Sequence, residues 1–408
     1  MMTSKDYIAL EDKHGAHNYH PLPVVLSKGE GVYVWDVEGK RYFDFLSAYS
    51  AVNQGHCHPA IVKTMQEQAA TLTLTSRAFY NDTLGIYEKY MTEYFGFDKV
   101  LPMNTGAEAV ETAIKLARKW AYEKKGIEEN KAQLIVCKNN FHGRTTTIIS
   151  FSNDPDARKN FGPYTEGFIK IDYDNLEALE EALKQDNVAG FMAEPIQGEA
   201  GVYVPSEGYL SKAKALCEKY GVLFIADEVQ TGIARTGKLL AVDHENVKPD
   251  ILILGKALSG GAYPVSAVLA NDHVMEVIKP GQHGSTFGGN PVACKVAMTA
   301  LDVVKDEQLA EKAEDLGQFF RAEIAKFAET NDLVKLVRGK GLLNAIVIND
   351  TEDSSTAWDI CMMLRDNGLL AKPTHGNIIR FAPPLVMTKD ELTECISIIT
   401  KTISAFAK

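Results

Sequence analysis

The middle of the chain alternates short apolar runs with amphipathic stretches, and that alternation limits the possible folds more than any other feature. QLIVCK (133–138), AGFMAEPI (189–196), VLFIADE (222–228), ILILG (251–255) and SAVLA (266–270) are brief, apolar and partly β-branched. Runs of this kind read as strands buried on both faces. Helical patterns lie between them. In one, Val110, Ala113, Ile114 and Ala117 follow the i, i+3, i+4, i+7 spacing of a helix face. Strands alternating with helices predict an α/β fold: a mostly parallel sheet flanked by helices.

The two ends read differently. GVYVWDVEGKRYFDF predicts a hairpin around the turn Val37-Glu38-Gly39-Lys40. After residue 290 come one long helical stretch (about 291–330), LVRGKGLLNAIVI, a helical pattern over 356–367, NIIRFAPPL and a final helix. This predicts a smaller α+β domain. The expected division is 1–48, an N-terminal segment packing with the small domain; 49–290, the large domain; and 291–408, the small domain with a long linking helix at its start. A length of 408 residues fits two or three domains.

A net charge of -11 repels phosphate backbones and anionic lipid heads, so neither nucleic acid nor a membrane surface is an expected partner. No apolar run approaches the roughly 20 residues of a membrane helix. The six cysteines are scattered without CxxC spacing, which fits a reducing compartment and gives zinc or redox motifs no support. The opening MMTSKDYIALEDKHG has no apolar stretch of signal-peptide type, and Asp6, Glu11 and Asp12 argue against a transit peptide, so a cytoplasmic location is expected. His56-Cys57-His58 could tempt a metal reading. No fourth ligand is in sight, and the triplet is read as a structural loop with no metal.

In an open α/β sheet, ligands bind beyond the carboxyl ends of the strands, and four features stand there. Lys256 follows DILIL and a glycine, where desolvation makes an amine nucleophilic; alone, it could equally be a snorkelling lysine. Asp227 ends an apolar run and calls for a cationic partner, or else caps a helix. Asn104-Thr105-Gly106-Ala107-Glu108 precedes a helix and offers free amides to a phosphate, though an ordinary capped start would look the same. Phe141, in NNFHGRT, can stack on a planar ring or belong to the core. Together they supply an amine, a carboxylate, a phosphate cradle and a stacking face, the parts that pyridoxal 5'-phosphate requires.

The segments MNTGAEA, NNFHGRT, EPIQGEAGV, LFIADEVQTG, LGKALSGG and HGSTFGGNP resemble the signature blocks of the class III (subgroup II) aminotransferases. GAHNYHPLPV, FLSAYSAVNQGHCHP, RGKGLLNAIV and NGLLAKPTHGNIIRFAPPL are similar to the ornithine-using branch of that family, and the likeness runs from about residue 15 to the end. The resemblance implies a type I pyridoxal-phosphate fold and a homodimer with active sites shared across the interface. By the same resemblance, Lys256 is the Schiff-base lysine and proton carrier, Asp227 pairs with the ring nitrogen, Gln230 bonds the ring hydroxyl, and Phe141 stacks on the ring. Gly106 and Ala107 cradle the phosphate, Ser285 is a further cofactor-binding residue, and Thr286 reaches the partner subunit's cofactor. Arg144 would bind the remote carboxylate of either substrate and Arg380 the carboxylate beside the keto group. Glu199 would mask Arg380 while ornithine is bound. Tyr19 would receive ornithine's α-amino group, and Tyr49 would line the pocket; either tyrosine could instead be packing.

The implied reaction moves the terminal amino group of ornithine to 2-oxoglutarate in a ping-pong exchange. The nearest rivals are transfer from acetylornithine or 4-aminobutyrate, whose lack of a free α-amino group makes Tyr19 the discriminating residue. An aminomutase or racemase would need no keto acid. A non-catalytic cofactor-binding protein would not need Lys256, Asp227 and Glu199 all intact.

Overall fold

The computed structural model describes residues 2–406. Three strands open the chain after a short helix: β1 (Leu26–Glu30), β2 (Tyr33–Asp36) and β3 (Arg41–Asp44), with the last two forming the expected hairpin. Their sheet is completed from far along the chain, where Leu369–Leu370 pairs in parallel with Phe43 and Asp44.

The large sheet has seven strands: β4 (Lys99–Met103), β5 (Gln133–Cys137), β6 (Phe168–Ile171), β7 (Val188–Ala193), β8 (Leu223–Asp227), β9 (Ile251–Leu254) and β10 (Ser266–Ala270). They lie in the order β4-β10-β9-β8-β7-β5-β6. β10 alone runs opposite in direction to the other six strands. β7, β8 and β9 are buried at every position, which is why their sequences are continuous apolar runs rather than alternating ones. The helix Gly106–Trp120 buries Val110, Ala113, Ile114 and Ala117 against one face of this sheet. Each large aliphatic side chain removed from water contributes about 1.5–3 kcal/mol.

The last hundred residues build a second sheet from β11 (Val334–Lys340), β12 (Leu343–Ile348), β14 (Lys372–Pro373) and β15 (Ile378–Phe381), while Leu369–Leu370 is β13. The helical stretch expected over 291–330 is not one helix. It divides into Pro291–Asp306 and Leu309–Ala328. Gln308 between them takes a left-handed conformation (φ 53°), which re-aims the second helix onto β11. There Arg321 donates to Gly341 O and Asn344 Oδ1, both at 2.9 Å.

One buried arginine ties the parts together. Arg235 donates to Asn53 Oδ1 (2.6 Å from Nη2, 3.1 Å from Nε), Leu342 O (2.9 Å) and Pro383 O (2.7 Å). Burial works against its charge, and these oxygens offset that penalty. Among the described residues, no helix is long and apolar enough to cross a membrane.

Candidate active site

The carboxyl ends of the large sheet open into a cavity of about 180 Å³. Gly106, Ala107, Phe141, Glu199, Asp227, Gln230 and Lys256 line it, together with His142 and Glu194. Each arrives from a strand end or the loop just beyond one.

Gly106 and Ala107 begin the helix after β4. Thr105 Oγ1 accepts from Glu108 N (3.2 Å) and Glu108 Oε2 from Thr105 N (2.8 Å). This cap leaves the first two helical amides, which precede any intrahelical bond, at the cavity wall. Phe141 follows β5 and is 37% exposed, its ring a cavity wall rather than core. Its amide donates to Glu194 Oε1 at 2.9 Å.

Asp227 is the last residue of β8 and is nearly sealed from solvent. Its Oδ1 accepts from Val229 N (3.0 Å) and its Oδ2 lies 2.5 Å from His142 Nδ1. Burial disfavours charge on His142, but the hydrogen bond and charge of Asp227 outweigh it and hold the imidazole above its ordinary pKa. Glu194 is pushed up to about 7 by burial, with the Asp227 charge adding and His142 opposing.

Lys256 stands two residues beyond β9 with φ 45°, a left-handed conformation that costs a non-glycine residue about 1–2 kcal/mol. Burial first, and then the charge of Arg380, pull its amine below the usual lysine range against the opposing pull of Glu199, Asp227 and Glu194.

Arg380, on β15, crosses from the small sheet into the same space. Its Nη1 donates to Glu199 Oε2 (2.9 Å) and Gly198 O (3.3 Å), and it approaches Gln230 Oε1 at 3.5 Å. Burial alone would raise the Glu199 carboxyl; the charge and hydrogen bond of Arg380 outweigh it and hold the acid below its ordinary value. Gly198 makes this closeness possible, since a Cβ there would fall 1.7 Å from Gln230 Oε1.

Tyr49 stacks on Arg380, its ring centroid 5.2 Å from the guanidinium carbon. It belongs to a left-handed turn of four non-glycine residues, Ser47–Ser50, all with positive φ. Asp44 Oδ1 supports the turn by accepting from Leu46 N and Ser47 N, each at 2.9 Å. Strain of this kind survives only where the surroundings over-determine it.

Six expected residues do not line the cavity, Tyr49 and Arg380 among them. Tyr19 is 70% exposed. Arg144 is exposed, its guanidinium 5.7 Å from the Phe141 ring centroid. Ser285 bonds Asn104 Nδ2 at 2.7 Å, while Thr286 and Phe287 face outward. His56 and His58 bond to Asp44 (2.7 Å) and Glu307 (3.0 Å).

Sequence reasoning missed Glu194 and the part played by His142. Glu194 directly follows the last residue of β7, so the strand-end rule that selected Asp227 would have selected it had AGFMAEPI been ended at Ala193. His142 gave no signal, because its partner is 85 residues away.

A parallel-rich sheet with a half-buried lysine, a buried aspartate and a helix start around one cavity defines a cofactor-dependent α/β enzyme site. The aminotransferase class-III family model matches residues 14–403, and the chain belongs to that family. It is 66% identical to the mitochondrial ornithine aminotransferase of Drosophila ananassae over 98% of this chain and 91% of that protein. It is 60% identical to the rat protein of the same name, over 99% and 91%. A solved ornithine aminotransferase from Toxoplasma gondii, described with partial occupancy of pyridoxal phosphate at its active site, superposes with TM-score 0.97 at 52% identity, covering 99% of this chain and 94% of that one. A solved acetylornithine aminotransferase from Elizabethkingia anophelis superposes with TM-score 0.92 at 65% identity, covering 99% and 100%.

Proposed function

We propose that this chain transfers the terminal (δ) amino group of L-ornithine to 2-oxoglutarate, with pyridoxal 5'-phosphate as cofactor. The products are glutamate 5-semialdehyde, which cyclises to pyrroline-5-carboxylate, and glutamate. The observation that carries this reading is the Glu199–Arg380 pair (2.9 Å), whose charges both act on Lys256. A pocket that takes a cationic amine in one half of the cycle and a keto acid in the other needs a carboxylate-binding arginine that can be masked.

The cavity suits the cofactor. The helix start at Gly106 and Ala107 fits a phosphate, the Phe141 ring fits a planar face, the sealed Asp227 carboxylate fits a protonated ring nitrogen, and Gln230 would bond the ring hydroxyl. Lys256 would hold the group covalently. Once bound, it supplies a ring that withdraws electrons from the substrate carbon bearing the nitrogen.

The rest is done by the chain. Lys256 Nζ, its pKa lowered by burial and by the charge of Arg380, takes a proton from the carbon bearing the terminal amine. Asp227, oriented by Val229 N and His142, holds fixed negative charge in a dry site where it acts most strongly. Arg144 binds the remote carboxylate of either substrate and Tyr19 the α-amino group of ornithine. Glu199 covers Arg380 for the donor and releases it to the acceptor's carboxylate as a bidentate partner.

Ser285 is assigned to the cofactor, and Thr286 to the partner's cofactor in a homodimer. Exposed Phe79 (73%), Tyr80 (104%) and Phe287 (50%) support such an interface, and sedimentation tests it. The expected cytoplasmic location stands as a proposal that cell fractionation tests, since the fly and rat relatives are mitochondrial by name.

The similarity to the Elizabethkingia protein favours one alternative donor, acetylornithine. The test is trapping of pyrroline-5-carboxylate from ornithine plus 2-oxoglutarate, in wild type and Tyr19→Phe. Loss of ornithine turnover in the variant is expected. Unchanged turnover of ornithine, or none in wild type, defeats the assignment.

A further inference from the structure

The loop that carries Glu199 is gripped from the small sheet by two arginines, and only one belongs to the substrate machinery. The loop is closed at its base by the bridge between Gln197 and Tyr203. On the sheet, Arg338 pairs with Ala345 across the β11–β12 ladder, and Ala345 pairs with Arg380 across β12–β15. The two arginines therefore stand in one row on one face, roughly 10 Å apart by strand spacing, with alanine between them. Arg380 takes Glu199 and Gly198 O. Arg338 Nε donates to Gly201 O at 2.9 Å, and its guanidinium carbon lies 3.8 Å from the Tyr203 ring centroid. Gly201 has φ 124°, and a Cβ there would fall 2.7 Å from Ile378 Cδ1 and 3.1 Å from Arg338 Nη2. The glycine is thus required both by its backbone and by the guanidinium beside it.

Resting on the function proposed above, we infer that Arg338 is a positioning residue for the alternation between donor and acceptor. When an acceptor carboxylate takes Arg380, that arginine gives up Glu199, and its 3.3 Å bond to Gly198 O is already long. The loop backbone is then held by Thr374, whose hydroxyl bonds Glu199 O, and by Arg338 at Gly201. Arg338 is the charged anchor that neither half of the cycle disturbs. It keeps the loop in place while the Glu199 side chain leaves, so that the side chain returns to mask Arg380 when the next amine arrives. Without it the mask closes poorly, Arg380 stays bare, and the cationic donor suffers while the dianionic acceptor does not.

The experiment measures each half-reaction separately on cofactor-loaded enzyme: ornithine with the aldehyde form, 2-oxoglutarate with the amine form. Arg338→Met is expected to raise the half-saturating ornithine concentration about fivefold, the worth of one net hydrogen bond, with the 2-oxoglutarate value unchanged. Arg338→Lys should recover part of the loss, and Tyr203→Leu should shift ornithine in the same direction by less. Equal losses in both half-reactions, or none in either, overturn the inference; if Arg338→Met fails to fold, the Tyr203→Leu ratio decides it. A wild-type enzyme that refuses ornithine overturns the function proposal instead, and the same ratio taken with the amine it does use still decides the role of Arg338.

Discussion

Asp227 Oδ2 lies 2.5 Å from His142 Nδ1, and both side chains are almost completely removed from solvent. A buried carboxylate without a cation nearby would be costly. His142 supplies one face of the compensation, and the cavity leaves the other face for a protonated ring nitrogen. His142 Nε2 is itself buried without a partner among the described residues, so the imidazole is held through Nδ1, while Val229 N fixes the other oxygen of Asp227.

Removing the charge while keeping the shape isolates its contribution. Asp227→Asn should lower kcat by roughly 10²–10³-fold, the usual loss when one preorganised electrostatic group is removed. The His142 pKa should fall in the same variant, since Asp227 is what holds it up; histidine NMR titration reads this. Near-normal kcat would remove Asp227 from the mechanism.

The Glu199–Arg380 pair predicts a pH dependence of stability with a definite sign. The folded-state pKa of Glu199 is depressed below its ordinary 4.5. The stabilisation is therefore present in full above that ordinary value and is lost as pH falls through the lower folded one. The urea midpoints of wild type and Glu199→Gln should differ at pH 7 and converge as the solution is acidified below 4.5. A gap that widens on acidification would contradict the assignment.

Arg235 should matter to stability rather than to chemistry. Arg235→Met leaves Asn53 Oδ1, Leu342 O and Pro383 O without their donor and should cost about 3 kcal/mol. Arg235→Lys should lose less. Differential scanning calorimetry reads the drop, and an unchanged midpoint would show that water replaces the guanidinium.

The parallel sheet was legible because strands buried on both faces must be apolar throughout, and β5, β7, β8, β9 and β10 each announce themselves that way. β4 and β6 did not. KVLPM and FIKI are partly exposed, so their composition is mixed. The break at Gln308 carried no signal, because neither glycine nor proline marks it and its cause is the direction of the next helix. Lys256 and Asp227 could be picked out because a charge after an apolar strand is conspicuous. Arg338 could not. Its meaning depends on the register of β11, β12 and β15, which brings it into line with Arg380 from 42 positions away by sequence number. Tyr19, Tyr49, Arg144, Ser285, Thr286 and Arg380 were named through resemblance, and the geometry of a single chain leaves them outside the cavity lining.

The most direct test of the account is the visible absorption band of the cofactor-loaded protein, titrated with one amine at a time and no keto acid. L-Ornithine should bleach the band at lower concentration than N-acetylornithine or 4-aminobutyrate, and 2-oxoglutarate should restore it. Bleaching by acetylornithine or 4-aminobutyrate at lower concentration than ornithine would contradict the proposed donor, and failure of the band to form with Lys256 intact would contradict the site itself.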